Sequence, residues 1–362
     1  IEINDKNFIF LVTKYNDKSD FEVLYSTIVD SKGIQNGKII DIENSSKILK
    51  KSIQEIEKKI KFIFKSATII NTQNNFNCIN VSGYKKLAGA QISNEDVSYI
   101  LNNIKKTIVD NNKKYSLIHL FNSNFVLDKN ILNNIPIGLH GDFYNQDHTF
   151  FLLPKNDLQN IKLTLNNCHI AIERIVLKQF ASGIYKIKKN NLEDKIIFLI
   201  DINKLSINIS VFNNKSFLYL ESFSFGTNII MDDVAKLCSL NLNIVKNIFS
   251  DINFDLISED DNSNYLDKKY FKELNYRKIS ISHLSEIISA RIEEIIDITY
   301  NKNSNYKYLL KKNKLIYLSF EDLNVNINFK ERFKSYFING CEVIFDENSE
   351  DKDTHALIGS AE

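Results

Sequence analysis

Apolar and polar positions alternate at the start of the chain, and then the period changes to that of a helix. The runs FIFLVTKY and FEVLYSTIVD read as two strands parted by the turn Asn16-Asp17-Lys18-Ser19. SKGIQNGKIIDIEN follows, and its two glycines bracket a turn into a short third strand. Over residues 44–61, Ile48, Leu49, Ser52, Ile53, Ile56 and Ile60 share one face while Lys and Glu fill the other, which predicts a helix. SATIINTQ is then a fourth strand.

Residues 82–141 read as an insertion. Ser93 and Asp96 have capping-box spacing ahead of a helix marked by Val97, Ile100, Leu101, Ile104 and Ile108. SLIHLFNSNFVLD is a strand and NNIPIGLHG an ordered turn. The main pattern is expected to resume with the strand TFFLLP, the helix NDLQNIKLTLNNC, the strand HIAIERIVL and the helix FASGIYKIKK.

The second half repeats the order. IIFLIDI, LSINISVF and SFLYLESFSF are successive strands, with Asn213-Asn214-Lys215 turning between the last two. Helices are expected near 229–240, 243–250 and 282–300, then the strand KLIYLSF, the helix FKERFKSYF and the strand CEVIF. Two units of three strands followed by helix resemble the organisation of the actin/Hsp70 superfamily. The expected fold class is α/β, an actin-like (ribonuclease H-like) two-domain fold with a small α+β subdomain inserted in the first half. The divisions that follow are 1–81 with 142–190, the insert 82–141, 191–229 with 301–362, and a mixed helical region 230–300.

Composition narrows the function. A 362-residue chain with formal net charge +1 and 25% charged residues is that of a globular protein, and nothing in it suggests nucleic-acid binding. Cys78, Cys168, Cys238 and Cys341 lie far apart and form no CxxC pair, so a disulfide framework or zinc site is not expected, and a reducing cytoplasm fits. No apolar run has membrane-spanning length and no signal peptide is visible.

Several segments, in order, resemble the bacterial cell-division protein family FtsA. SKGIQNGKIIDIENSSKILKKSIQEIE is similar to the family's S-x-G-(hydrophobic)-x-x-G-x-(hydrophobic)-x-D segment and the helix after it. ISNEDVSYILNN resembles the start of the inserted subdomain's helix, and IHLFNSNFVLDKNILNNIPIGLHG its later strand and turn. IERIVLKQFASGIY resembles L-V-L-x-P-L-A-S-x-x-A. FSFGTNIIMDDVA keeps the family's Gly226, Asp233 and Ala235, and ISHLSEIISARIEEIIDI carries an R-x-x-E as Arg291 and Glu294. The resemblance implies a cytoplasmic scaffold, peripheral on the inner membrane at the division site. Such a scaffold ties FtsZ polymers to that membrane, recruits other divisome proteins and self-associates into actin-like filaments. Membrane contact is expected through a C-terminal amphipathic helix outside this sequence.

The resemblance also implies an ATP site with Mg held by an aspartate, and it places that site at Glu2, Asn4, Asp201, Asn203, Lys204, Gly226, Lys246 and Ser319, with Asp201 toward the metal. The glycines are missing. The family's D-I-G-(S/T) is Glu2-Ile3-Asn4-Asp5 here, where Asn4 would crowd the phosphates and Asp5 would repel them. D-I-G-G-G-T-T is Asp201-Ile202-Asn203-Lys204-Leu205-Ser206-Ile207, and L-T-G-G-G is Leu318-Ser319-Phe320-Glu321-Asp322, with Phe320 and Glu321 standing where backbone should lie open. Phosphate loops need bare backbone N–H groups, so the expectation is a degraded cleft and no enzyme activity. Two alternatives stay open: a working actin-fold ATPase using Asn and Lys in the loops, and an FtsA-like adaptor of a pilus or secretion assembly.

Other candidates are weaker. His140 and His148 flank a polar turn and could meet a metal, although solvated loop histidines are commoner. The acidic run 259–262 reads as a solvated loop, and the apolar stripe of the 282–300 helix as core. For an acidic FtsZ tail, the exposed basic residues expected to matter are Arg277, Lys278 and Arg291.

Overall fold

The computed structural model describes residues 1–15, 21–132, 134–192, 195–213, 216–257, 264–271, 275–305, 314–320, 330–337, 341–346 and 352–361. The expected turns at 16–19 and 213–215 and the acidic run 259–262 lie wholly or mostly outside these, as do Glu321 and Asp322. Two compact units divide the chain: Ile1–Asp194 with Ser210–Leu220 and Asn348–Glu362, and Lys195–Ile209 with Glu221–Glu347.

In the first unit a five-stranded sheet has the order β11-β6-β1-β2-β3. Its members are β1 (Glu2–Ile3), β2 (Asn7–Tyr15), β3 (Phe21–Asp30), β6 (Ser66–Asn71) and β11 (Ala171–Leu177), while the short β4 (Ile34–Gln35) and β5 (Lys38–Ile39) pair with each other apart from it. β1 is antiparallel to β2 and parallel to β6, and β6 is parallel to β11. Helices α1 (Ile42–Ile60) and α3 (Lys155–Asn167) cover one face, where Phe8, Phe10, Leu49, Ile53 and Leu165 are buried together. Asp41 caps α1 by accepting from the Asn44 N–H at 3.0 Å. On the other face, Ile9, Ile70, Val176 and Ala181 pack with Leu357 of α9 (Lys352–Ala361). α9 lies against α4 (Lys178–Lys189) so closely that a Cβ on Gly359 would meet the Ala181 carbonyl oxygen at 1.9 Å. This C-terminal helix therefore packs with the first-half sheet, whereas the sequence reading put 301–362 with the second half.

The insertion has its own four-stranded sheet, β7-β10-β8-β9, built from β7 (Asn77–Lys86), β8 (Tyr115–Leu127), β9 (Asn130–Leu132) and β10 (Phe143–Pro154). The strand TFFLLP, expected to return to the main sheet, is the end of β10 and pairs with β7 and β8 instead. Helix α2 (Asn94–Asn111) covers this sheet and begins at the predicted capping box of Ser93 and Asp96. The tip of the hairpin β13 (Ile207–Asn213) and β14 (Ser216–Phe223) clusters with this unit through stacked rings. Phe217 stacks on Phe151 at 4.4 Å and on Phe212 at 4.7 Å.

The second sheet has the order β14-β13-β12-β15-β16, with β12 (Ile196–Ile202), β15 (Lys314–Phe320) and β16 (Cys341–Phe345) parallel. Numbered along the chain, both five-stranded sheets run third-second-first-fourth-fifth. The duplication that the sequence shows only as element order is thus a duplication of topology. α5 (Asn228–Leu237), α6 (Leu242–Asp251), α7 (Ile281–Ile296) and α8 (Lys330–Ser335) complete this unit. The expected 282–300 helix is α7 followed by a π-helical turn over Asp297–Asn301.

Candidate functional site

The two hairpins that open the two sheets are the candidate phosphate loops, one in each unit. In the first, Asn4 closes the β1–β2 turn with its own side chain. Its Oδ1 accepts from the N–H groups of Lys6 at 3.0 Å and Asn7 at 2.7 Å, and its backbone N–H donates to the Asn7 carbonyl at 3.1 Å. A phosphate at this turn would need those donors, and they are engaged internally.

Asp5, expected to repel a phosphate, turns its carboxylate to the 36–37 turn. Its carboxylate accepts from the N–H groups of Asn36 at 2.8 Å and Gly37 at 2.6 Å. That contact explains the glycine in SKGIQNGK. Gly37 has φ +70°, and a Cβ there would stand 2.5 Å from the Gln73 nitrogen. The Ser31 hydroxyl also donates to the Asp5 carbonyl at 2.8 Å, so the family-like segment clamps the first hairpin.

Glu2 is fully buried at the start of β1. Its Oε1 lies 3.2 Å from the Lys178 ammonium and 3.3 Å from Asn4 Nδ2, while Oε2 has no hydrogen-bond partner. Sequence reasoning passed over Lys178. The available signal was its place as the first residue of α4, where the helix dipole disfavours a cation.

In the second hairpin, Asp201 lies one residue before the end of β12, opposite Ser319 of β15, whose hydroxyl donates to it. Asn203 N–H donates to the Ser206 carbonyl at 2.8 Å and closes the turn. The carbonyls of Asn203 and Lys204 accept from the N–H groups of Thr227 and Asn228 at 3.0 Å each. The start of α5, which could attract an anion, is therefore saturated by peptide carbonyls. Gly226 permits this contact, because a Cβ there would lie 2.0 Å from the Asn203 oxygen.

Phe320 needs correction. Its ring is buried within the second unit against Phe333 at 5.5 Å and Phe345 at 6.4 Å, and does not stand in an opening. Lys246 is exposed on α6.

Among the predicted partner residues, Arg277 donates to the Ser239 carbonyl at 2.7 Å, and Lys278 lies 5.5 Å from the Tyr265 ring centre. Both are exposed. Arg291 is not an exposed free cation. Its guanidinium joins Asp233 of α5 and Glu294 of its own helix, so the residues of two family-like segments meet in one charged cluster.

The two histidines offered for a metal lie in unlike surroundings. His140 Nδ1 contacts the Gly89 carbonyl at 2.9 Å, whereas His148 is 1% exposed in β10 with neither ring nitrogen bonded. Burial brings the His148 pKa down to about 4, and that of His119 likewise. Among the described residues no group of three or more His, Cys, Asp or Glu is arranged to hold a metal ion. No helix among them is long and apolar enough to cross a membrane.

No family model matches the sequence. The chain is 19% identical over 300 residues to the cell division protein FtsA of Neisseria meningitidis serogroup B, covering 82% of this chain and 71% of the relative. It is also 19% identical over 319 residues to FtsA of Buchnera aphidicola subsp. Acyrthosiphon pisum, covering 81% and 75%. Among solved structures, the PilM-PilN type IV pilus biogenesis complex aligns with a TM-score of 0.55 over 99% of this chain and 95% of the other, at 8% identity. The fold is α/β and actin-like, and the sequence likeness is to FtsA.

Proposed function

We propose that the protein is an FtsA-like scaffold of cell division that links FtsZ polymers to the cytoplasmic face of the inner membrane, recruits other divisome proteins and self-associates. In this reading its nucleotide site no longer works as one, and function rests on surfaces. The observation that carries the reading is the internal use of the phosphate-loop donors: Asn4 Oδ1 takes two N–H groups of the first turn. The saturated start of α5 adds to it. Mg-ATP does not suit these loops, because an anion would have to displace both the side chain and the carbonyls already bonded there.

Calorimetric titration with Mg-ATP tests the two loops: no binding is expected, and micromolar affinity would overturn this part. Binding of an FtsZ C-terminal peptide tests the partner. Arg277 and Lys278 are the cations offered to that acidic tail, and their replacement by Glu should weaken binding and its salt dependence. Absence of peptide binding by the unaltered chain would end the division reading.

A further inference from the structure

The turn leaving α1 is built firmly and yet displays apolar side chains to solvent. Lys61 takes the left-handed conformation at φ 57°, and its N–H bonds the Glu57 carbonyl, ending the helix. Phe62 N–H donates to the same carbonyl at 3.3 Å, and the Glu57 carboxylate accepts from the Phe64 N–H at 2.9 Å. Phe64 packs against the core beneath, with its ring 5.3 Å from that of Phe62 in an edge-on contact. The next strand, β6, begins at Ser66. Phe62 and Ile63 therefore sit on a fixed turn, and they are 60% and 77% exposed.

Their surroundings are cationic. The stretch KKIKFIFK, residues 58–65, contains four lysines and no acid, and all four are exposed. Lys59 bonds the Tyr25 hydroxyl, and Lys58, Lys61 and Lys65 are the other exposed lysines that flank the apolar pair along the chain. Glu57 is committed to the turn, Glu55 lies 4.0 Å from Lys51, and Glu173 lies 3.6 Å from Arg174. We propose that this turn is a membrane-contact site in the body of the protein, with Phe62 and Ile63 entering the headgroup region of an anionic bilayer and Lys58, Lys61 and Lys65 meeting its phosphates.

The pattern suits lipid because an aromatic and an aliphatic side chain side by side can enter the interface while lysine stems reach outward to the charged surface. A patch of this size binds reversibly, and it serves as the second of the two signals that stable peripheral attachment needs. The site adds to the proposed scaffold reading and does not depend on its nucleotide or FtsZ parts.

The test is sedimentation of the full chain with vesicles of phosphatidylcholine alone or mixed with phosphatidylglycerol. Binding is expected only to the mixed vesicles, falling as salt rises. Phe62→Ser with Ile63→Ser should weaken it at least tenfold, and each of Lys58→Gln, Lys61→Gln and Lys65→Gln by about fivefold. All these side chains are exposed, and unchanged thermal unfolding of each variant checks that the fold is intact. No binding to anionic vesicles, or equal binding by the double variant, would overturn the proposal. So would a double variant that keeps vesicle binding and loses an acidic protein partner. FtsZ-peptide binding, measured on the same variants, should not change, so failure of one reading is separable from failure of the other.

Discussion

Lys178 Nζ stands 3.2 Å from Oε1 of Glu2, and the Glu2 side chain is wholly out of solvent. In this unit the acid that opens the first sheet is answered by a lysine of the same chain, at the start of the helix that follows β11. A buried carboxylate is tolerable only with such a partner. The pair joins the start of β1 to the end of β11 across the intervening β6.

Removing one partner should therefore cost far more than removing both. Lys178→Ala leaves Glu2 buried and uncompensated, with an expected loss of about 3–5 kcal/mol. Glu2→Gln combined with Lys178→Met should recover most of it. Urea unfolding of the single and double variants checks this, and a Lys178→Ala variant as stable as the parent would refute the role given to the pair.

Asp233 and Arg291 offer a second cycle, within the other unit. Their side chains are 21% and 30% exposed, so solvent screens part of the attraction. A double-mutant cycle with Asp233→Asn and Arg291→Met should give a coupling of about 1 kcal/mol that shrinks with added salt. A coupling of zero would mean that the family-like R-x-x-E does not tie α7 to α5.

Much of the architecture was legible because periodicity reports one element at a time. Alternation marked β2 and β3, the 3.6-residue stripe marked α1, and Ser93 with Asp96 marked the start of α2. Pairing was less legible. TFFLLP is apolar on both faces, and nothing in it says which sheet it joins. Phe320 ends a strand whose residues Leu315 to Phe320 are all buried, so the sequence could not say that its ring turns toward Phe333. At the candidate site, position along the chain pointed to both hairpins, and the glycines expected in their turns are absent from the sequence. The contacts these turns do make depend on residues distant in sequence, such as Lys178 for Glu2 and Asn36 with Gly37 for Asp5.

His148 predicts a pH dependence. Burial lowers its pKa from 6.5 to about 4, so the folded chain holds the ring neutral. The unfolded chain takes up the proton near pH 6.5, so stability is whole above that value and is lost as pH falls toward 4. The loss attributable to this group is up to about 3 kcal/mol. His148→Leu should flatten this limb of the curve at little cost at neutral pH, because neither ring nitrogen has a bond to lose. An unchanged acid limb in chemical denaturation across pH would assign the dependence elsewhere.

Gly226 carries the last prediction. A Cβ there would stand 2.0 Å from the Asn203 oxygen and 2.6 Å from the Lys204 carbonyl carbon, both backbone atoms that cannot turn aside. Gly226→Ala must push the second hairpin away from the start of α5 and break the bonds that Thr227 and Asn228 make to it. Overpacking of this kind costs about 1–3 kcal/mol, and two lost backbone bonds add to it. The expected signature is local: amide exchange at Thr227 and Asn228 should speed up more than exchange in β12. Gly138→Ala is the control. That glycine has φ +83° with nothing within 4 Å of an added Cβ, so it bears only the left-handed backbone penalty of about 1–2 kcal/mol. If both variants lose equal stability and Thr227 stays protected, the hairpin does not lean on α5 as described.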